Sequence, residues 1–237
     1  MLTEYKLSEA ILVYSAFNGY YGNSMYLQRH KVMEQDGRSM LLEGVPYTLE
    51  DLTALCRQLL PGLVSDSLRF IDAGVLASSG SAMGPDVWWV PGSVKHIFFE
   101  KLDAKSGNAP WPSLVFVTHG GHLKVHAVKG TKRPGLKTRL YVAPFPNMHG
   151  SDVCLGNSSL PERSFDYGGW EKAFFESSFS EVQEENRVKT GSLTEFWDGL
   201  VKSGASRFPD SQLVPSRSCR TVSDLLSDLR RRVTNGY

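Results

Sequence analysis

The spacing of apolar residues changes several times along the chain, and each change predicts a change of element. Residues 8–14 (SEAILVY) and 24–33 (SMYLQRHKVM) have the aliphatic and aromatic content of strands, with a Gly/Asn/Tyr-rich connection between them. Over 48–60 (TLEDLTALCRQLL) the spacing becomes helical, with Leu49, Leu52, Leu55, Cys56, Leu59 and Leu60 on one stripe. Thr48 is placed to cap this helix with Asp51 as its reciprocal partner, and Pro61-Gly62 to stop it.

After the loop-like residues 78–86 the texture changes again. Residues 87–90, 94–100, 113–118, 122–128 and 138–143 are short and rich in β-branched and aromatic residues, and every gap between them contains Gly or Pro. Such gaps are too short for crossover helices, so an antiparallel meander is expected. An irregular stretch rich in Pro, Gly and Asn follows residue 143. Helical spacing returns at 168–179, 192–203 and 221–233. Strands followed by helices predict an α+β fold. Residues 1–70 read as N-terminal strands and a helix belonging to the same domain as 71–237.

Composition narrows the class. A chain of 237 residues fits one large domain, or one domain with an extension. With 41% apolar and 11% aromatic residues it has enough material for a core, which argues against disorder. Three cysteines cannot make a disulfide framework and suit a reducing compartment. A net charge of +1 gives no global drive toward nucleic acid or anionic membrane. No segment has the length of a membrane span. The apolar run Ala10–Val13 is too short, and too close to Glu4 and Glu9, for a signal peptide. A soluble cytoplasmic protein is expected.

Charge is nevertheless segregated. Residues 124–139 contain Lys124, Lys129, Lys132, Arg133, Lys137 and Arg139 and no acid. That run suits a nucleic-acid patch or a dock for an acidic partner, with a solvated loop the favoured reading. Residues 171–185 hold Glu171, Glu176, Glu181, Glu184 and Glu185 against Lys172. His119, His122 and His126 flank a Gly-Gly turn, but no nearby cysteine or carboxylate completes a familiar zinc set, so they read as polar hairpin residues.

The cysteines differ in setting. Cys56 lies on the leucine stripe and reads as a small core residue. Cys219 sits between Arg217 and Arg220, ahead of a helix that Thr221 caps; this is the electrostatic setting of a lowered thiol pKa, although no partner His or Asn is local. Cys154 lies in the irregular stretch Pro144–Asn157 (PFPNMHGSDVCLGN), the kind of segment that carries chemistry when held against a rigid sheet. Asn147 is a candidate donor to a developing oxyanion, and His149 a candidate base or orienting group. By spacing alone, a structural cysteine beside a turn-forming Asn accounts for the same residues.

The motif PFPN…VCL resembles the active-site stretch of ubiquitin-conjugating enzymes, in which a strand meander ends in His-Pro-Asn and the catalytic cysteine follows in a Val/Ile-Cys-Leu segment. Pro146, Asn147 and Val153-Cys154-Leu155 match. RPGLKTRLYVAPFPNMHGSDVCLGN followed by WEKAFFESSFS is similar to the prokaryotic conjugating-enzyme family D, over roughly residues 85–215. That family includes the B protein of the PRTRC plasmid system and the conjugating components of bacterial operons that encode a ubiquitin-like protein, an activating enzyme and a JAB-type peptidase. Three departures stand out. Phe145 replaces the motif's His, the interval from Asn to Cys is one residue shorter than in the eukaryotic pattern, and Ser180-Glu181 stand where relatives carry a His after SxF.

The resemblance implies a UBC-like fold and transthiolation. Cys154 would accept a ubiquitin-like modifier as a thioester from an activating enzyme and pass it to an amine on a target protein, with Asn147 and His149 assisting. A modest thiolate fraction suffices for exchange between thiols. Gly150 and Gly156 would let the modifier's tail approach. No cofactor or metal is implied for this subunit; the activating partner uses ATP. Both antiviral defence and plasmid maintenance fit the family. The competing readings are a non-catalytic scaffold of the same fold, a DNA-binding plasmid-maintenance protein using 124–139, and a Cys/His hydrolase using Cys154 and His149.

Overall fold

The computed structural model describes residues 6–18, 22–59, 71–81, 84–156, 159–184 and 186–235. The chain divides into two compact units, Met1–Ser67 and Leu68–Tyr237.

The first unit is an antiparallel sheet of β1 (Glu9–Asn18), β2 (Gly22–Gln35) and β3 (Arg38–Pro46), in that order, followed by helix α1 (Leu49–Leu59). Both strands expected from the pattern are present and longer than expected. β3 is an addition, and its signal is the Asp36-Gly37 pair, both at positive φ (52° and 72°), which turns β2 tightly into β3. The capping box forms as expected. Thr48 N donates to Asp51 Oδ2 at 3.0 Å and Asp51 N donates to Thr48 Oγ1 at 3.1 Å. Cys56 is half-buried and Leu59 exposed; the expected stop at Pro61-Gly62 lies outside the described residues.

In chain order the second unit begins with β4 (Val75–Ser78), β5 (Asp86–Val90), β6 (Val94–Phe99), β7 (Gly107–Pro110), β8 (Ser113–His119) and β9 (His122–Val128). It continues with β10 (Tyr141–Val142), β11 (Met148–His149), β12 (Asp152–Val153), α2 (Tyr167–Phe175), β13 (Ser178–Phe179), α3 (Leu193–Ser203) and α4 (Val222–Asn235). The main sheet runs β4-β5-β8-β9-β12-β11, antiparallel throughout, with β10 also on β9. A smaller sheet runs β13-β6-β7, its β13–β6 pair parallel.

The fold is therefore α+β with antiparallel sheets and C-terminal helices, but three expectations need correction. The strands do not form a sequential meander, because β5 pairs with β8 rather than β6. The run Leu114–Thr118 is buried on both faces and takes the central position, while β6, with Val94 and Phe98 exposed, leaves through Pro91-Gly92 into a side hairpin. The strand expected at 138–143 is regular only at Tyr141–Val142. This stretch also bonds to the segment before α4, Leu140 N donating to Arg220 O at 2.9 Å and Val142 N to Val214 O at 2.8 Å. The helix expected at 168–179 stops at Phe175, and Ser178–Phe179 become β13 beside β6.

The main sheet is covered on both sides. On one, Leu114, Phe116, Leu123 and Val125 pack with Trp111, Phe145, Trp170, Phe174, Phe179 and Trp197, bringing in α2 and α3. On the other, Val87, Val115 and Val117 pack with Val222, Leu225 and Leu229 of α4. Phe145 is at the centre of the aromatic cluster. It has no exposed surface, and its ring lies 4.5 Å from Trp111, 5.2 Å from Trp197 and 5.7 Å from Phe179 between centroids. Trp197 Nε1 donates to Pro144 O at 2.5 Å, so the chain is fastened to the core at the point where the irregular stretch begins.

Candidate active site

Cys154, Asn147 and His149 share one small hairpin. Met148 pairs with Val153 and His149 with Asp152 across the two-residue loop Gly150-Ser151. Gly150 has φ +57°, a conformation suited to glycine. Alternation sorts the side chains. Met148 is fully buried, and Val153 packs on the same core, followed by Leu155. His149, Asp152 and Cys154 face outward and are exposed. The ribbon closes with Cys154 N donating to Asn147 O at 2.8 Å, and it joins the main sheet through Asp152, opposite Lys124. Lys124 Nζ reaches both Asp152 carboxylate oxygens at 2.9 Å.

Asn147 has a left-handed backbone, φ +52°, which Asn tolerates better than most residues. Its side chain fastens the hairpin to the segment after α2. Oδ1 accepts from Ser180 N at 3.0 Å and Glu181 N at 2.9 Å, and Nδ2 donates to Ser178 O at 3.1 Å. The backbone adds a fourth bond, Asn147 N donating to Glu181 O at 2.8 Å. The backbone of Ser180-Glu181 is thus spent on holding Asn147.

His149 has 87% of its side chain exposed, and its Nδ1 lies 3.4 Å from Glu184 Oε1. The same Glu184 oxygen accepts from Gly150 N at 2.9 Å. The other Glu184 oxygen is 3.0 Å from Nη2 of Arg187, whose side chain is only 1% exposed. Arg187 is the residue that sequence reasoning did not single out. Its guanidinium donates to three backbone carbonyls of this stretch, Ala143, Met148 and Gly150. Burial pushes its pKa down while Glu184 holds it up.

The other residues expected to carry chemistry have different surroundings. Cys219 is half-buried. Burial, then Asp228 and Asp224, push its thiol pKa up, so the lowering anticipated from the flanking arginines is overridden. Thr221 caps α4 as expected, in a box with Asp224. His126 is not a polar hairpin residue. It is almost fully buried in β9, and burial, reinforced by Lys124, pushes its pKa down to about 4. Among the described residues, no group of three or more His, Cys, Asp or Glu side chains is arranged to hold a metal ion.

The basic run is partly engaged, with Lys132, Lys137 and Arg139 left exposed. Lys124 is paired with Asp152, Lys129 lies over the Tyr141 ring at 5.1 Å, and Arg133 donates to Ala73 O and Val75 O at 2.9 and 2.7 Å. The acidic run is similarly divided. Glu171 accepts from Trp88 Nε1 at 3.0 Å, Glu184 serves the hairpin, and Glu185 lies outside the described residues. Among the described residues no helix is long and apolar enough to cross a membrane.

No curated protein and no solved structure matches the chain. A family model, described as prokaryotic E2 family D, matches residues 53–216, a span that includes the hairpin, α2, α3 and Arg187. Such membership points to a role in ubiquitin-like protein conjugation, and it brings with it a UBC-like fold and, in general terms, a ubiquitin-like modifier and an activating enzyme as partners. The chain belongs to prokaryotic E2 family D.

Proposed function

We propose that this chain is a conjugating enzyme that carries a ubiquitin-like modifier as a thioester on Cys154. The observation that supports this most is the exposed thiol, displayed on the outer face of a hairpin whose other face is anchored in the core. The Cys154 thiolate attacks the carbonyl carbon of the thioester joining the modifier's C-terminus to the activating enzyme. A tetrahedral oxyanion forms and collapses, expelling the activating enzyme's thiolate and leaving the modifier on Cys154. A target amine then attacks the new thioester, loses a proton, and expels the Cys154 thiolate, leaving an amide bond. Thioester exchange is nearly balanced between similar thiols, so the protein's contribution is geometry and charge stabilisation.

Asn147 has two Nδ2 protons and spends one on Ser178. In this reading the second serves the oxyanion, a role worth about 3 kcal/mol where a single such donor is well placed. His149 takes the amine's proton, its ring steadied by Glu184. A JAB-type peptidase of the same system would reverse the product. The test combines the protein with ATP, a ubiquitin-like protein and the activating enzyme that loads it. The expected product is an adduct that dithiothreitol removes and Cys154→Ala abolishes, while Cys154→Ser leaves one that resists reductant. No adduct, or one that survives Cys154→Ala, overturns the assignment.

A further inference from the structure

We propose that Arg187, paired with Glu184, is the positioning residue of the Cys154 site: a buried cation that templates the backbone of the nucleophile's hairpin without touching the reacting atoms. The proposal deepens the conjugating-enzyme reading and rests on it.

A buried guanidinium is expensive to desolvate and persists in a fold only where it is paired and most of its protons are used. Here the Nη protons are used on one short stretch and on Glu184, while Nε is buried without a partner among the described residues. Nη1 donates to Ala143 O and Gly150 O, both at 3.1 Å. Nη2 donates to Met148 O at 2.7 Å and Gly150 O at 3.1 Å, and to Glu184 at 3.0 Å. Glu184 returns the other half of the contact by accepting Gly150 N at 2.9 Å. The ion pair therefore holds both backbone groups of the loop glycine, the first residue of the strand before it, and the point where the chain leaves β10. Asn147 fastens the same hairpin from its other end.

Residues 143–154 contain only two two-residue strands. A stretch with so little ladder of its own takes its shape from whatever its carbonyls are bonded to. One planar cation with a fork of donors fixes the relative positions of carbonyls at 143, 148 and 150. A lysine, whose three donors radiate from a single nitrogen, does not span the same set. Acyl transfer is sensitive to displacement of the attacking atom by as little as about 1 Å, so a loosened hairpin would retain the thiol and lose rate.

The test compares wild type with Arg187→Lys, which keeps the buried charge, and Glu184→Ala, which removes its carboxylate partner at a half-exposed position, each checked for an intact fold by its melting temperature. Cys56 and Cys219 are changed to Ser throughout. Three readouts are taken: amide hydrogen exchange of residues 145–156, the rate at which iodoacetamide alkylates Cys154, and the kcat and KM of charging from the loaded activating enzyme. Both variants should speed exchange in this segment tenfold or more, with the β8–β9 amides unchanged. Charging kcat should fall at least tenfold with KM within twofold, and alkylation, which needs no aligned acyl donor, should change less than threefold. A Leu200→Ala variant of equal melting temperature should leave hairpin exchange and kcat near wild type. Unchanged hairpin exchange in Arg187→Lys, wild-type charging by that variant, or an equal kcat loss in Leu200→Ala overturns the proposal. A wild-type protein that never charges, while the hairpin still loosens in the variants, overturns the conjugating reading instead.

Discussion

Phe145 shows how one substitution changes the support of a site. Where the His-Pro-Asn motif has His, this chain has a ring fully enclosed by Trp111, Phe179 and Trp197. The turn leading to Asn147 is anchored by aromatic packing rather than by an imidazole. Phe145→Ala should destabilise the fold by about 3–5 kcal/mol, measured by urea denaturation, with loss of near-UV circular dichroism from the tryptophans. His126 gives a pH prediction. Its pKa is about 4 in the fold, largely because it is buried, and about 6.5 in an unfolded chain. Between those values the unfolded state binds the extra proton, so stability from this residue is complete above pH ~6.5 and is lost as pH falls toward ~4. The loss is about 3 kcal/mol, and His126→Gln should flatten the dependence of the urea midpoint over that range. At this scale the sequence was most legible where the candidate residues are local. Cys154, Asn147 and His149 fall within eight consecutive residues and meet in one hairpin. Arg187 left no signal, because its partners are carbonyls that any residue supplies. The environment of Cys219 was misread because neighbours in sequence are not the charges that face a thiol in space.

Among the elements, those with a strong apolar period were found and the shortest were not. β8 and β9 announce themselves through apolar and β-branched residues, and α3 through its helical spacing; Ser192 caps it, its hydroxyl accepting Glu195 N at 3.1 Å. β7, with the sequence GNAP, has no strand propensity and exists because β6 offers it a partner. β13 is a strand imposed on helix-like sequence: Phe179 is drawn into the aromatic core, and the flanking backbone is taken by β6 and Asn147. α4 was legible in full, including its cap. Thr221 Oγ1 accepts Asp224 N at 3.2 Å, and Asp224 accepts Thr221 N at 3.0 Å. Thr221→Ala should cost about 1 kcal/mol, read as a lowered midpoint in thermal unfolding, with no change in the charging of Cys154.

For the molecule as a whole, near-neutral charge concealed two runs of opposite sign, and in the fold three of the six basic residues are engaged within the chain. With Lys124, Lys129 and Arg133 already engaged, duplex DNA should be held weakly in 50 mM salt and released by 200 mM, without the steep dependence that marks six or more phosphate contacts. A filter-binding titration across that range checks this, and a slope near −5 would revive the nucleic-acid reading. The second unit's sheet carries packed side chains on both faces, and the hairpin lies at the end of its strand order. The fastening of that hairpin also has a temporal consequence. Asn147 and the carbonyls of Ala143, Met148 and Gly150 bond to partners 31 to 44 residues further along the chain. During synthesis from the N-terminus, Cys154 leaves the ribosome well before Ser178–Arg187 do. The nascent protein therefore carries its thiol on an unshaped strand for several seconds, at ordinary rates of translation, and becomes competent only when the later segment arrives to lock it.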